Sequence, residues 1–305
     1  MHKKKLIITG ASGFIASEFL KIYKNPNFEI FLISRKQPKN IKGLEFKKID
    51  LRNYYQTKKY LETINPNLIL HLADSKNRIV NLKNNLKKYK ITDDDNIIIA
   101  DNLIKICRKL NNLEKFIHIG SCDEYGDSIK ILRESSREKP IKYYGKYKLK
   151  ITQKFIGAFV KFKFPVVIVR PSVIYGKGQD NEMFIPSLIQ SLKNNKTFYM
   201  SSGEQYRDFL YIDDFVDGLI KLIKNKDKKI LGKKFNFSYG KSHKIKKIVD
   251  IAMKMIPINK DIIKFNSKKI TEELVMNYFI DNNKSKKYFN WKPKVDIISG
   301  IKKLK

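Results

Sequence analysis

The chain has 305 residues, 42% of them hydrophobic, with 64 Lys and Arg against 30 Asp and Glu, a formal net charge of +34. That length and apolar content suffice for a substantial core in one large or two interlocked domains and exclude intrinsic disorder. Two cysteines, Cys107 and Cys122, and four scattered histidines, His2, His71, His118 and His243, exclude a disulfide framework and a zinc cluster, so a reducing cytoplasmic setting and no metal are expected.

At the N-terminus Lys3-Lys4-Lys5 and Leu6-Ile7-Ile8 look like the start of a secretory signal. Gly10, Ser12, Gly13 and Glu18 interrupt it and no small-residue cleavage site follows, so no targeting segment is expected. Short β-rich runs at Lys5–Thr9, Phe28–Ile33, Glu45–Ile49, Leu68–Leu72, Phe116–Gly120 and Val166–Arg170 alternate with helical patterns near 13–24, 53–64, 96–111 and 143–162. This rhythm predicts an α/β fold with a Rossmann-like, doubly wound parallel sheet. The polar insertion from Ser75 to Asn96 has no assignable structure. Beyond Arg170 the rhythm loosens into helical stretches near 184–194, 213–225 and 244–256, which predicts a smaller C-terminal domain. The expected division is 1–172 and 173–305, with part of about 205–240 returning to the first domain.

Thr9-Gly10-Ala11-Ser12-Gly13-Phe14-Ile15-Ala16 follows the first strand and opens a helix. Gly10 permits the tight turn, Gly13 permits close approach to a pyrophosphate, and Ala16 permits helix packing, so a dinucleotide is expected at the helix N-terminus. The tip of the second strand reads Ser34-Arg35-Lys36 with no acid until Glu45. An acid there would accept ribose hydroxyls, whereas Arg35 suits a 2′-phosphate, so NADP(H) is favoured and NAD(H) is the alternative. Asp50 suits either the adenine amino group or a cap on the helix that follows.

Tyr-x-x-x-Lys puts a phenol and an ammonium on one helical face, where the cation stabilises phenolate for proton transfer. The spacing occurs four times, at Tyr54, Tyr55, Tyr144 and Tyr288. Only Tyr144, with Lys148, follows a strand that ends in a hydroxyl at the position where parallel sheets bind ligands, Ser121 in Ser121-Cys122-Asp123-Glu124-Tyr125-Gly126.

Further motifs recur in order: Asp50-Leu51, His71-Leu72-Ala73, Arg170-Pro171-x-x-x-Tyr175-Gly176, Arg207-Asp208-Phe209, Tyr211-Ile212-Asp213-Asp214 and Trp291-x-Pro293. With these the chain resembles an extended short-chain dehydrogenase/reductase of the nucleotide-sugar epimerase/dehydratase family. The resemblance implies that Tyr144 is the acid/base, that Lys148 orients the nicotinamide ribose and lowers the tyrosine pKa, and that Ser121 holds the substrate oxygen. It implies cofactor contacts from Gly10, Ser12, Gly13, Phe14, Ile15, Arg35, Asp50, Leu51, Leu72, Ala73, Pro171 and Ser172. A nucleotide-diphosphate sugar would meet Ser121, Asp123, Phe184, Ile185, Pro186 and, at the diphosphate, Arg207. Asp208, Asp213 and Asp214 suit capping as well as substrate contact, and Trp291 and Cys122 suit packing. A homodimer is expected by analogy.

Two departures bear on the reaction. Cys122 and Asp123 stand where dehydratases of the family carry the residues that serve water elimination, and Val173 replaces an asparagine common in epimerases. Both lean toward NADPH-dependent reduction of a 4-keto nucleotide sugar for polysaccharide biosynthesis, with NAD-retaining 4-epimerisation as the rival. The basic residues include 56 Lys spread from Lys3 to Lys305, an alphabet suited to an AT-rich genome and a solvated coat. A cofactor-sensing or nucleic-acid-binding protein is the alternative of another class, but no specific nucleic-acid partner is expected. No apolar run approaches the ~18 residues of a membrane span, so no membrane partner is expected.

Overall fold

The computed structural model describes residues 3–23, 25–39, 41, 43–74, 95–256, 262–267 and 274–305. They form two compact units, Met1–Gly120 with Lys146–Val169 and Lys226–Lys234, and Ser121–Gly145 with Arg170–Asn225 and Phe235–Lys305. The insertion expected over 75–96 lies outside the described residues except at its last two, which open a helix.

In chain order the elements of the first unit are β1 (Lys4–Thr9), α1 (Phe14–Ile22), β2 (Phe28–Ser34), β3 (Glu45–Lys48), α2 (Tyr54–Ile64), β4 (Leu68–His71), α3 (Asp95–Cys107) and β5 (Lys115–Ile119). The helix α4 (Tyr143–Phe162) belongs to it from Lys146 onward, β6 (Val166–Pro171) up to Val169 and β10 (Lys234–Phe237) only at Lys234, and the strand order is β10-β6-β5-β4-β1-β2-β3. The pairings β1 with β2 and β4, β2 with β3, β4 with β5, and β5 with β6 are all parallel. Consecutive apolar residues explain this: Leu6, Ile7 and Ile8 in β1, Ile69 and Leu70 in β4, and Val166 to Val169 in β6 are all fully buried. Strands covered on both faces carry such runs instead of alternation, which is the Rossmann-like arrangement expected.

Local chemistry sets the helix limits. Asn53 caps α2 by accepting the Gln56 N–H at 3.0 Å, and Asn65, at φ +48°, ends it in the left-handed region. The cap is thus Asn53 and not Asp50. The helix expected near 96–111 stops at Cys107, because the N–H groups of Lys109 and Leu110 turn back to Ile106 and Cys107, three residues earlier.

The second unit holds β7 (Val173–Tyr175), α5 (Phe184–Lys193), β8 (Phe198–Tyr199), β9 (Tyr206–Tyr211), α6 (Ile212–Lys224), β11 (Ser242–Lys244), α7 (Ile245–Met255), β12 (Ile263–Lys264), α8 (Asn283–Phe289) and α9 (Ile297–Lys302). The strand β9 pairs antiparallel with β11 and parallel with β7, and β8 pairs with β12. Trp291 stacks on Phe237 with ring centroids 4.7 Å apart, and its indole N–H donates to the Asp214 carbonyl at 2.9 Å. The Asp214 carboxylate accepts the N–H groups of Lys294 and Val295, and Asp213 pairs with Lys303 at 2.9 Å. Asp213, Asp214 and Trp291 therefore hold and pack the unit.

Candidate active site

In the first unit the glycine loop lies at the carboxyl end of β1. Gly10 has φ +67°, and a Cβ there would sit 2.6 Å from the Ala73 amide nitrogen. Only glycine fits where this turn crosses the Leu72-Ala73 backbone, which brings three of the expected cofactor residues together. Gly13 N-caps α1 without a side-chain cap, and the first turn, with Phe14 and Ile15, carries no acid. Such a helix end presents amide donors and positive dipole to an anion, so the loop fits a dinucleotide pyrophosphate. Ser12 is exposed beside it and Leu51 is buried beyond β3. Asp50 accepts the Arg52 N–H and the Arg52 side chain, and Arg52 together with Arg35 holds its carboxyl below the usual range. Arg35 is exposed just past β2.

In the second unit Ser121 opens the turn Cys122–Glu124. Its hydroxyl accepts the Asp123 N–H at 3.1 Å and donates to the Asp123 carboxylate at 3.1 Å. Glu124 returns the cap: one oxygen accepts the Ser121 N–H at 2.9 Å, and the other accepts two Arg170 N–H groups at 2.8 and 2.5 Å. Arg170 also donates to Glu138 at 2.6 Å, and the Glu124 and Arg170 side chains are both 0% exposed. A buried pair hydrogen-bonded on both sides fixes the serine turn against rotation. Burial among Tyr125, Leu132 and Tyr278 pushes the Cys122 thiol well up, which makes it an inert filler.

The start of α4 is tied to this turn. A Cβ on Gly145 would lie 2.3 Å from the Asp123 carbonyl oxygen, so the residue after Tyr144 packs backbone to backbone against the turn that Ser121 opens. One helical turn on, in the first unit, the buried Lys148 ammonium donates to the Ile119 carbonyl at 3.1 Å and lies 3.4 Å from the Asp74 carboxylate. Asp74 also accepts the Tyr147 hydroxyl at 3.2 Å. His71 and His118, buried and stacked 5.6 Å apart, flank this end of the sheet; burial, then Lys148, lowers His71 to about 3 and His118 well below its ordinary value, so both are neutral. Tyr54 and Tyr55 lie on α2 and Tyr288 on α8.

The remaining substrate candidates surround a cavity of about 190 Å³ in the second unit. Phe184, Ile185 and Arg207 line it with Val173, Phe209 and Gln179, whereas Pro186, in the first turn of α5, does not. Arg207 donates to the carbonyls of Tyr206 at 2.7 Å and Val275 at 2.5 Å, and its guanidinium stands 4.9 Å over the Tyr278 ring. The Tyr278 hydroxyl donates to Asp123, which connects the cavity wall to the serine turn. Pro171 ends β6, and the Ser172 hydroxyl donates to Asp208 at 2.6 Å. Asp208 is buried and also accepts the N–H groups of Tyr239 and Gly240, so it holds a loop.

Sequence reasoning missed Tyr278, Asp74, Tyr147 and the role of the Arg170–Glu124 pair. Tyr278 stands 155 residues from its partner Asp123, and no local spacing signals it. Asp74 directly follows His71-Leu72-Ala73, so its place beside the cofactor loop was the one available clue.

Among the described residues no group of three or more His, Cys, Asp or Glu could hold a metal, and no helix is long and apolar enough to cross a membrane. The chain is 28% identical to the human dTDP-D-glucose 4,6-dehydratase, over 98% of this chain and 88% of that protein. It is 26% identical to a GDP-6-deoxy-D-talose 4-dehydrogenase of Aggregatibacter actinomycetemcomitans, over 72% and 70%. The crystal structure of a Bacillus cereus UDP-glucuronic acid 4-epimerase, in complex with UDP-glucuronic acid and NAD, superposes with a TM-score of 0.86 at 24% identity, over 98% of this chain and 96% of that one. Residues 6–237 match the sequence profile of the NAD dependent epimerase/dehydratase family, and to that family the chain belongs.

Proposed function

We propose that the protein is an NAD(P)-dependent nucleotide-sugar oxidoreductase that reduces the 4-keto group of a nucleoside-diphosphate deoxysugar. The observation that carries this reading is the join of α4 to the serine turn: Gly145 abuts Asp123, while Lys148 is anchored on Ile119, two residues before Ser121. Tyr144 and Lys148, four residues apart on α4, share one helical face. A bound nicotinamide would supply the hydride that reaches C4. Tyr144 gives its phenolic proton to the carbonyl oxygen, so the C=O becomes a secondary alcohol. Lys148 stabilises the phenolate left behind, and Ser121 hydrogen-bonds the same oxygen. Arg207 and the aromatic wall of Phe184 and Phe209 take the nucleotide and its diphosphate.

Water elimination is disfavoured because Cys122 is buried with a thiol too weakly acidic to protonate a leaving hydroxyl. For the cofactor, the similar Bacillus cereus 4-epimerase structure carries NAD. NAD(H) therefore has the stronger support, and the NADP(H) expected from Arg35 has none beyond that residue. Redox-neutral 4-epimerisation is the second reading, favoured by the same NAD-holding 4-epimerase structure. The test is Tyr144→Phe: turnover should vanish while dinucleotide binding, followed by fluorescence titration, stays within about twofold, a change of ~0.4 kcal/mol. Undiminished turnover by that variant would exclude Tyr144 as the acid.

A further inference from the structure

The loop that ends β4 places a carboxylate against the lysine on which the proposed chemistry depends. Its backbone is fixed: the Leu72 N–H donates to the Thr9 carbonyl at 3.2 Å, and the Ala73 N–H to the Thr9 hydroxyl at 3.4 Å. The next residue is Asp74. Both of its carboxylate oxygens lie 3.2 Å from the hydroxyl of Tyr147, a fully buried side chain, and one lies 3.4 Å from the Lys148 ammonium. Among the described residues, His71 on β4 and His118 on β5 lie within the field of Lys148, and the Ile119 carbonyl accepts from it; Tyr144 stands four residues earlier on the same helix. Both imidazoles are neutral, whereas Asp74 sets a carboxylate 3.4 Å from the Lys148 ammonium.

We propose that Asp74 is a positioning residue, a counter-ion that offsets the field of Lys148 at Tyr144 and keeps that phenol protonated through the neutral range. This rests on the assignment of Tyr144 as the acid/base. A lone ammonium one helical turn away favours phenolate, which suits a residue that must first accept a proton from a sugar hydroxyl. A carboxylate against that ammonium restores the phenol, which suits a residue that must first give a proton to a carbonyl. The pair thus biases the site toward carbonyl reduction, the direction proposed above.

The test is an ultraviolet titration of tyrosinate without substrate, comparing wild type with Tyr144→Phe and Asp74→Asn with the Asp74→Asn/Tyr144→Phe double variant, so that each difference isolates the Tyr144 phenolate. Removing the charge should bring that phenolate out about one pH unit lower, and Asp74→Glu, which keeps the charge, should restore the wild-type midpoint. The pH–rate profile should move the same way, at the alkaline limb if the enzyme reduces ketones or at the acid limb if it epimerises. Failure of the reduction assay would thus overturn the reaction and leave the counter-ion decidable. Coincident midpoints for wild type and Asp74→Asn would overturn the counter-ion. Asp74 is exposed and Asn is isosteric, so the fold should survive, and NADH fluorescence titration separates any loss of cofactor binding.

Discussion

Replacing Glu124 with Ala removes one partner of a fully buried ion pair together with the cap on the Ser121 amide. Arg170 would lose bonds of 2.8 and 2.5 Å and keep Glu138, at 2.6 Å and with a side chain 19% exposed, and the Tyr125 ring 4.7 Å away. Breaking a buried pair from one side costs about 3–5 kcal/mol, and the surviving Glu138 contact puts the expected loss near the lower end. The sole tryptophan, Trp291, lies in the same compact unit, so urea unfolding followed by its fluorescence reads this unit directly. The midpoint should fall while the slope stays unchanged, the signature of lost stability. Glu124→Gln can still accept the Ser121 N–H through its carboxamide oxygen. It should lose comparable stability yet retain more turnover than the Ala variant. A loss below ~1 kcal/mol in Glu124→Ala would refute the claim that this pair holds the serine turn.

Burial pushes the Asp208 carboxyl up to about 6. The folded protein therefore keeps a proton that the unfolded chain has released, and between about pH 4 and 6 stability should fall as pH rises, by up to ~1.4 kcal/mol per unit from this group. Asp208→Asn should flatten that component when urea midpoints are compared across the window, and an unchanged slope would show that Asp208 is not its source. Gly145→Ala drives a Cβ to 2.3 Å from the Asp123 carbonyl oxygen and should cost about 1–3 kcal/mol with a clear drop in turnover. Trp291→Ala empties a packed site against Phe237 and should cost about 3–5 kcal/mol, measured by circular dichroism during urea unfolding.

The parallel sheet was legible because β1, β2, β4, β5 and β6 are short, largely apolar runs, and burial on both faces leaves no other use for such runs. The glycine loop was legible for a similar reason: Gly10 and Gly13 answer a local backbone demand. Choosing Tyr144 among four equal spacings needed tertiary context, namely a strand that ends in Ser121. What escaped the sequence was pairing at long range. Glu124 and Arg170 are 46 residues apart, Asp123 and Tyr278 are 155 apart, and nothing near either member announces the other. The grouping of Ser121–Gly145 with the second unit escaped for the same reason: its partners, among them Arg170, Asn236 and Tyr278, all come later in the chain. The basic tip at Arg35 carries little information on the cofactor, since a chain with 56 lysines places positive charge everywhere and one more residue discriminates little.

The central claim, reduction at C4 with Tyr144 as the proton donor, is tested most directly with nicotinamide cofactor carrying deuterium at the transferable position. NADH and NADPH would each be incubated with nucleotide-linked 4-keto-6-deoxyhexoses, and the products separated and examined by mass spectrometry and NMR. The account predicts substrate-dependent loss of nicotinamide absorbance, deuterium bonded to C4 of the product sugar, and neither in Tyr144→Phe. Interconversion of ordinary nucleotide hexoses with no cofactor consumed and no deuterium at C4 would contradict it and make the protein an epimerase.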